Sequence, residues 1–256
     1  MEYKTVISPK MRRVSDALMD TFEGMDYCIT EMGSNLIVEV PKNCCQEVRT
    51  ALKRIFRDVA LIRNAYPMMG DLHDFILVKQ LITEAPVYVE SGILVPDIEK
   101  VLVDHEADKE YAALNDALIQ RKFQRAFELY PVNTSRLLRY AGRKGKKEEI
   151  RSRIDQIDQN RVKMVHAIQD FFRLEPVERA WLFGSFSRME ERPDSDIDIL
   201  VDLDASATMS LLHFAGMINK LERRLGRRVD IVVNGSVKPF AQGSINRDKV
   251  LVYERA

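Results

Sequence analysis

The stretch WLFGSFSRMEERPDSDIDILVDLD, from Trp181 to Asp204, holds most of the chemistry in this 256-residue chain. Ile197 to Leu203 alternates apolar and acidic residues and reads as a strand, preceded by a short apolar run, Ala180–Phe183, that ends in Gly184-Ser185. Side chains two apart on a strand leave the same face, so Asp196 and Asp198 point one way. Two carboxylates that close disfavour each other's ionisation unless a cation lies between them. An all-oxygen ligand set suits a hard ion such as Mg²⁺, which takes its further oxygens from substrate phosphates. Asp230, in the β-prone run Arg228–Val233, supplies a third carboxylate if its strand lies beside Ile197–Leu203. Three carboxylates so placed make a cradle for two metals about 3.5–4 Å apart, which stabilise the attacking and leaving oxygens of an in-line displacement. Gly184-Ser185 lets backbone amides and a small hydroxyl approach phosphate oxygens closely. Taken alone, an Asp-x-Asp is equally a solvated face of an edge strand.

Outward from this stretch, the period of the hydrophobic pattern changes twice. A helical pattern spans Lys147 to Phe172, and Phe214, Met217, Ile218, Leu221 and Leu225 form a helical stripe that Gly226 stops. Helix, strand, turn, strand, helix, strand describes an α/β core with a small mixed sheet flanked by helices. Toward the N-terminus, Ser8-Pro9 opens a helix through Met11, Val14, Leu18 and Phe22, and Gly33-Ser34 joins the β-prone runs Tyr27–Thr30 and Asn35–Val40 as a hairpin. A helix with Val48, Leu52, Ile55 and Phe56 on one face follows. Next come strands over Phe75–Leu81 and Pro86–Glu90, a helix from Pro96-Asp97 and a helical pattern over Lys109–Ala141 that breaks near Pro131. That half is a mixed α/β domain.

At about 150 residues per domain, the length predicts two domains. The run Ala141–Glu149 has two glycines and four cations, and residues 141–165 carry eight cations against four carboxylates. This basic segment divides the chain into an N-terminal α/β domain over 1–142, a linker and helix start over 143–160 and a second domain over 161–256. A solvated linker and a nucleic-acid contact are both open readings of it. Lys plus Arg equal Asp plus Glu at 39 each, which excludes a globally basic nucleic-acid coat. Cys28, Cys44 and Cys45 cannot build a disulfide framework and lack a zinc spacing. The N-terminus has no apolar signal core, and the longest uncharged stretch, Ala205–Asn219, is too short and polar for a membrane span. A cytoplasmic protein with no membrane partner is the expectation. His73, His105, His166 and His213 lie in separate segments, and no histidine accompanies Ser185 as a nucleophile's base. A nuclease would need an acidic pair and a Glu-x-Lys; Asp71, Asp74 and Lys79 are present without that last element.

Gly184-Ser185, ten intervening residues, Ser195 and Asp196-x-Asp198, with Trp181-Leu182-Phe183 before them and Arg188 two residues ahead of Glu190, resemble the minimal nucleotidyltransferase family of the DNA polymerase β-like superfamily. Asp230 in Arg-Arg-Val-Asp, then Val237-Lys238-Pro239 and a closing Ile245–Tyr253 segment, extend the resemblance over about residues 160–256. It implies that Gly184 and Ser185 bind the β- and γ-phosphates of a nucleoside triphosphate. Asp196 and Asp198 would ligate Mg²⁺, and Asp230 would complete the two-metal site and help deprotonate the incoming hydroxyl. Arg188, Ser195 and Lys238 are further nucleotide-binding candidates. One departure matters: the family continues Ala-Arg-Gly where this chain has Ser187-Arg188-Met189, which bears on the loop over the phosphates. The implied activity is Mg²⁺-dependent transfer of a nucleoside monophosphate to a hydroxyl. ATP is the implied donor, and a protein (a cognate toxin included) or RNA the acceptor, in a toxin–antitoxin or phage-defence setting. Antibiotic-modifying relatives keep a small-molecule acceptor open, and a silent binding module of the same fold is the alternative. An oligomer is compatible with all of these. Separately, Phe75–Asp108 resembles the C-terminal half of AbiEi-type antitoxins, without the winged helix those proteins carry.

Overall fold

The computed structural model describes residues 2–61, 74–112, 114–192, 195–204 and 209–255. Contacts divide the chain into one unit formed by Glu2–Ala126 and Tyr130–Ile157, and another formed by Phe127–Leu129 and Asp158–Ala256. Asp71, His73, Met68 and Met69 lie outside the described residues.

In the first unit, α1 (Pro9–Thr21) starts where the Ser8 hydroxyl accepts the Met11 N–H, and it buries Met11, Val14 and Leu18. The hairpin of β1 (Cys28–Met32) and β2 (Asn35–Val40) turns at Gly33, whose φ of +63° suits a residue without Cβ. With α2 (Cys45–Leu52), β3 (Val59–Leu61) and β4 (Ile76–Gln80), the sheet runs β1-β2-β4-β3, and β2, β4 and β3 are parallel. Leu36, Val38, Val40, Ile76 and Val78 bury the face toward α1 and α2. Ile55 and Phe56, expected on the second helix, follow its end; Ile55 is exposed and Phe56 packs on the core edge. A separate hairpin, β5 (Val87–Glu90) and β6 (Ile93–Pro96), leads into α3 (Ile98–Ala107), and α4 (Asp116–Leu129), α5 (Thr134–Arg143) and α6 (Lys147–Asp155) follow. The break near Pro131 falls between α4 and α5, as expected from its missing N–H.

Glu39 and Lys79 are in-register partners on β2 and β4, on the sheet face opposite that core. Lys79 binds Asp108 at 2.6 Å and Glu110 at 3.0 Å, and the fully buried Lys100 pairs with Glu39 and Asp104. Lys79 is thus spent inside an ion network, and Asp74 is tied at the surface to Lys10. The basic stretch is structured: Arg143 pairs with Glu84, Lys144 with Asp104 and Asp108, and Lys146 with Glu149.

The helix expected from Lys147 to Phe172 is two helices. Asp158 accepts the N–H groups of Asn160 and Arg161, which caps α7 (Gln159–Phe172) as a separate element. The second unit continues with β7 (Val177–Phe183), α8 (Gly184–Arg188), β8 (Ile197–Leu203), α9 (Leu211–Leu225), β9 (Val229–Val233), α10 (Pro239–Asp248) and β10 (Val250–Glu254). Its sheet order is β10-β7-β8-β9, antiparallel except for the parallel pair β8/β9. Ile197, Ile199 and Val201 are buried on one face, so the alternation sends Asp198, Leu200 and Asp202 to the other. α9 packs on α7 and β9, starts at the Ser210 cap and stops at Gly226, where φ is +64°. Among the described residues no helix is long and apolar enough to cross a membrane.

Candidate active site

β8 lies inside the sheet, and its register sets the site. Asp198 is the Cα partner of Asp230 on β9 and of Phe183, the last residue of β7, on its other side. In-register residues of neighbouring strands share a face, so the two carboxylates stand side by side. Asp196 comes immediately before β8, two residues ahead of Asp198. Burial first, then the charges of Asp230 and Asp196, holds the Asp198 carboxyl above its ordinary range, and Arg188 pulls the other way. Asp198 therefore senses both of the other aspartates.

Gly184 stands against this cluster. Its φ is +69°, and a Cβ built on it would sit 2.2 Å from Asp198 Oδ2. The sequence reading assigned the glycine to close phosphate approach; the structure gives it a second duty, leaving room for the carboxylate. Ser185 follows, half-buried, and its carbonyl accepts the Glu190 N–H at 3.0 Å. Met189 stands where the family has glycine and adopts the left-handed conformation at φ +59°, while its N–H binds the Phe186 carbonyl. The departure thus leaves the turn in place and loads it with backbone strain of about 1–2 kcal/mol. Met189→Gly is expected to raise stability by about 1 kcal/mol, read as a higher urea midpoint at unchanged slope. An unchanged or lower midpoint would contradict this.

The other nucleotide-binding candidates are distributed differently. Arg188 is held by Glu190 at 2.7 Å and Asp248 at 2.5 Å, so a phosphate would compete with two carboxylates for it. The Ser195 hydroxyl accepts the Arg192 N–H at 3.0 Å and so closes the loop ahead of Asp196. Lys238 is exposed at the start of α10. His213 contacts Glu175 at 3.3 Å, His105 packs edge-on to Tyr111, and His166 is exposed. Among the described residues no histidine pairs with the aspartates.

Sequence reasoning passed over three arginines. Arg228 Nε lies 2.9 Å from Asp196 Oδ1, and Arg227 donates to the carbonyls of Arg192 and Ser195 at 3.0 and 2.5 Å. Arg161 is buried in α7, and its signal was legible: it begins the apolar stripe Val165, Ile168, Phe172. An oxygen-only set of three aspartates, one of them disfavoured as an anion by the other two, suits a hard divalent cation. Among the described residues no three side chains already converge as a ligand set, and Asp196 is turned to Arg228. An ion binding there would compete with the Arg228 guanidinium for Asp196 Oδ1.

The comparisons with known proteins follow this geometry. Residues 163–252 match the nucleotidyltransferase domain family, and residues 1–160 match a family of unknown function (DUF6577). Over 71 residues the chain is 42% identical to the protein adenylyltransferase MntA of Thermococcus cleftensis, covering 28% of this chain and 70% of that protein. Two solved structures are similar at 22% identity. A toxin–antitoxin with AMP-PNP covers 36% of this chain and 73% of its own at a TM-score of 0.32. A tri-AMPylated Shewanella oneidensis HEPN toxin in complex with MNT antitoxin covers 38% and 71% at a TM-score of 0.28. The chain is a nucleotidyltransferase: it belongs to the DUF6577 family through residues 1–160 and to the nucleotidyltransferase family through residues 163–252.

Proposed function

We propose that the chain transfers AMP from ATP to a hydroxyl group of a protein, at a site made by Gly184, Ser185, Asp196, Asp198 and Asp230. The observation that carries this reading is the register of β8 and β9, which stands Asp198 beside Asp230 with Gly184 against it. The choice of AMP and of a protein acceptor draws on the similarity to a relative named protein adenylyltransferase. A cognate toxin, as the family resemblance implies, is the acceptor to try first.

In this reading the acceptor oxygen attacks the α-phosphorus of ATP, the bond from that phosphorus to the bridging oxygen breaks, and pyrophosphate leaves. Asp230, exposed at the rim, takes the hydroxyl proton. The Gly184-Ser185 turn grips the β- and γ-phosphates, and Arg188, Ser195 and Lys238 are the further residues proposed to contact the nucleotide. Asp196 and Asp198 would hold Mg²⁺, with Asp230 completing the set. When bound, the ion supplies positive charge to the phosphate oxygens and relieves the repulsion among the three carboxylates. In-line displacement at phosphorus needs placement and charge more than covalent catalysis, which suits a site with no paired nucleophile and base.

The test is transfer from α-labelled nucleotide, with each triphosphate in turn, Mg²⁺ and a lysate holding the products of neighbouring genes, beside an Asp196→Ala/Asp198→Ala control. The expected result is label from ATP in a protein band that the control lacks. A ribonuclease-sensitive band would move the acceptor to RNA, and label on a small molecule would move it to the antibiotic-type reaction. Label from no triphosphate would leave a silent module. Mg²⁺-ATP is also expected to raise thermal stability, since a ligand at 100 times its dissociation constant adds about 2.7 kcal/mol.

A further inference from the structure

We infer that Arg161 is a positioning residue for the turn that grips the nucleotide; this rests on the proposed function for the identity of that turn. Arg161 is on the core side of α7, its side chain 9% exposed. Its Nε donates to Glu128 Oε1 at 2.8 Å, its Nη2 to the Phe186 carbonyl at 3.0 Å, and its Nη1 to the Glu191 carboxylate. The guanidinium also lies 4.0 Å from the centre of the Phe186 ring, inside the range of cation–π attraction. Phe186 is fully buried, two residues past Gly184. One guanidinium therefore reaches the turn's backbone, the carboxylate that follows it and the ring at its centre.

The remaining bonds show what this holds in place. Glu190 N–H binds the Ser185 carbonyl and Met189 N–H binds the Phe186 carbonyl, so the Phe186 carbonyl takes two donors, the second from Arg161. Met189 is in a conformation that disfavours a side chain, and the turn needs external support to stay there. Glu128, 0% exposed, comes from the last turn of α4, which belongs to the same unit as α7. Burying a guanidinium between carboxylates gives no stability advantage over an apolar side chain continuing the Val165–Ile168–Phe172 stripe. What the arginine does, and an apolar residue cannot, is donate in three directions from a rigid plane. Its role is to fix the Ser185–Glu190 geometry before nucleotide arrives.

Two readouts test this on the full chain, one without nucleotide. In hydrogen exchange of the nucleotide-free protein, Arg161→Met is expected to speed the Met189 and Glu190 amides roughly tenfold or more, with Ile199 to Val201 unchanged. In label transfer, the apparent KM for ATP is expected to rise roughly tenfold, with kcat changing less than about threefold. Arg161→Lys, which keeps a charge opposite Glu128 but loses the fork, is expected to fall between parent and Arg161→Met. The double variant Glu128→Met/Arg161→Met removes the fully buried Glu128 charge together with its Arg161 partner and leaves the partly exposed Glu191 carboxylate, so it reports even where the single variant fails to fold. Parent-like protection at Met189 and Glu190 in a folded double variant overturns the assignment, as does an equal loss of protection across β7, β8 and β9. A parent that transfers no label at all defeats the proposed function instead, and the exchange data still judge the brace.

Discussion

Asp198→Asn is expected to abolish nucleotidyl transfer while leaving the metal-free protein folded and at least as stable as the parent. The two halves of this result have one cause. Asp198 is half-buried beside Asp230 and near Asp196, and burial plus both neighbouring charges hold its carboxyl above the ordinary range. A group whose folded value is raised binds protons more readily folded than unfolded, so above that range its charge opposes folding. Asparagine keeps the shape and removes the charge. Thermal unfolding in EDTA should therefore show an equal or higher Tm. For catalysis the same charge is indispensable in the proposed site, where Asp198 on β8 and Asp196 just ahead of the strand would each supply an oxygen ligand. Losing several kcal/mol of charge stabilisation, at 1.36 kcal/mol per tenfold, predicts a drop of roughly a thousandfold or more in transfer. A variant that keeps a tenth of the parent's rate would sink the assignment of Asp198. One that loses activity only because its Tm collapses would sink the account of its environment.

Both the fold of the second unit and its acidic cluster were legible because local rules and tertiary contacts agree there. The alternation of Ile197–Leu203 fixes which residues face out, and the single question left, whether Asp230 lies beside Asp198, is answered by a one-to-one register. Elsewhere the deciding contacts are far apart in sequence. β3 and β6 are strands of three and four residues whose only strong signal is the neighbour they pair with. Over residues 147–172 the apolar period runs on without a break, whereas one cap, Asp158, divides the helix. Charge was the least legible feature. The partners of Lys100 and Arg161 are out of reach of any local pattern, since each is buried against a carboxylate more than thirty residues away, Glu39 or Glu128. In the basic run Ala141–Glu149, Arg143, Lys144 and Lys146 likewise meet carboxylates, two of them far away in sequence. The AbiEi resemblance of Phe75–Asp108 stays a resemblance, since the family matched by residues 1–160 carries no assigned function.

Gly184→Ala is expected to cost transfer far more than it costs stability, and Gly226→Ala provides the internal comparison. Both glycines have left-handed backbones, φ +69° and +64°, so either alanine carries the same conformational penalty of about 1–2 kcal/mol. They differ in what the new methyl meets. At Gly226 nothing lies within 4 Å, so the penalty is the whole effect and activity should persist. At Gly184 the methyl would fall 2.2 Å from Asp198 Oδ2 and 3.1 Å from its Cγ, but 3.5 Å from its Cβ, an ordinary contact. The backbone of β8 therefore has no need to move; the carboxylate does, by rotating away from Gly184. Such a rotation relieves the clash at little further cost in folding. In the proposed site it also displaces a metal ligand by an ångström or more, a misplacement that costs on the order of a hundredfold in rate. The expected pattern is two variants with similar losses of stability in urea, one active and one nearly inert. Equal activities would mean that Asp198 is not where the reaction needs it, and equal inactivity would trace the loss to backbone strain rather than to the carboxylate.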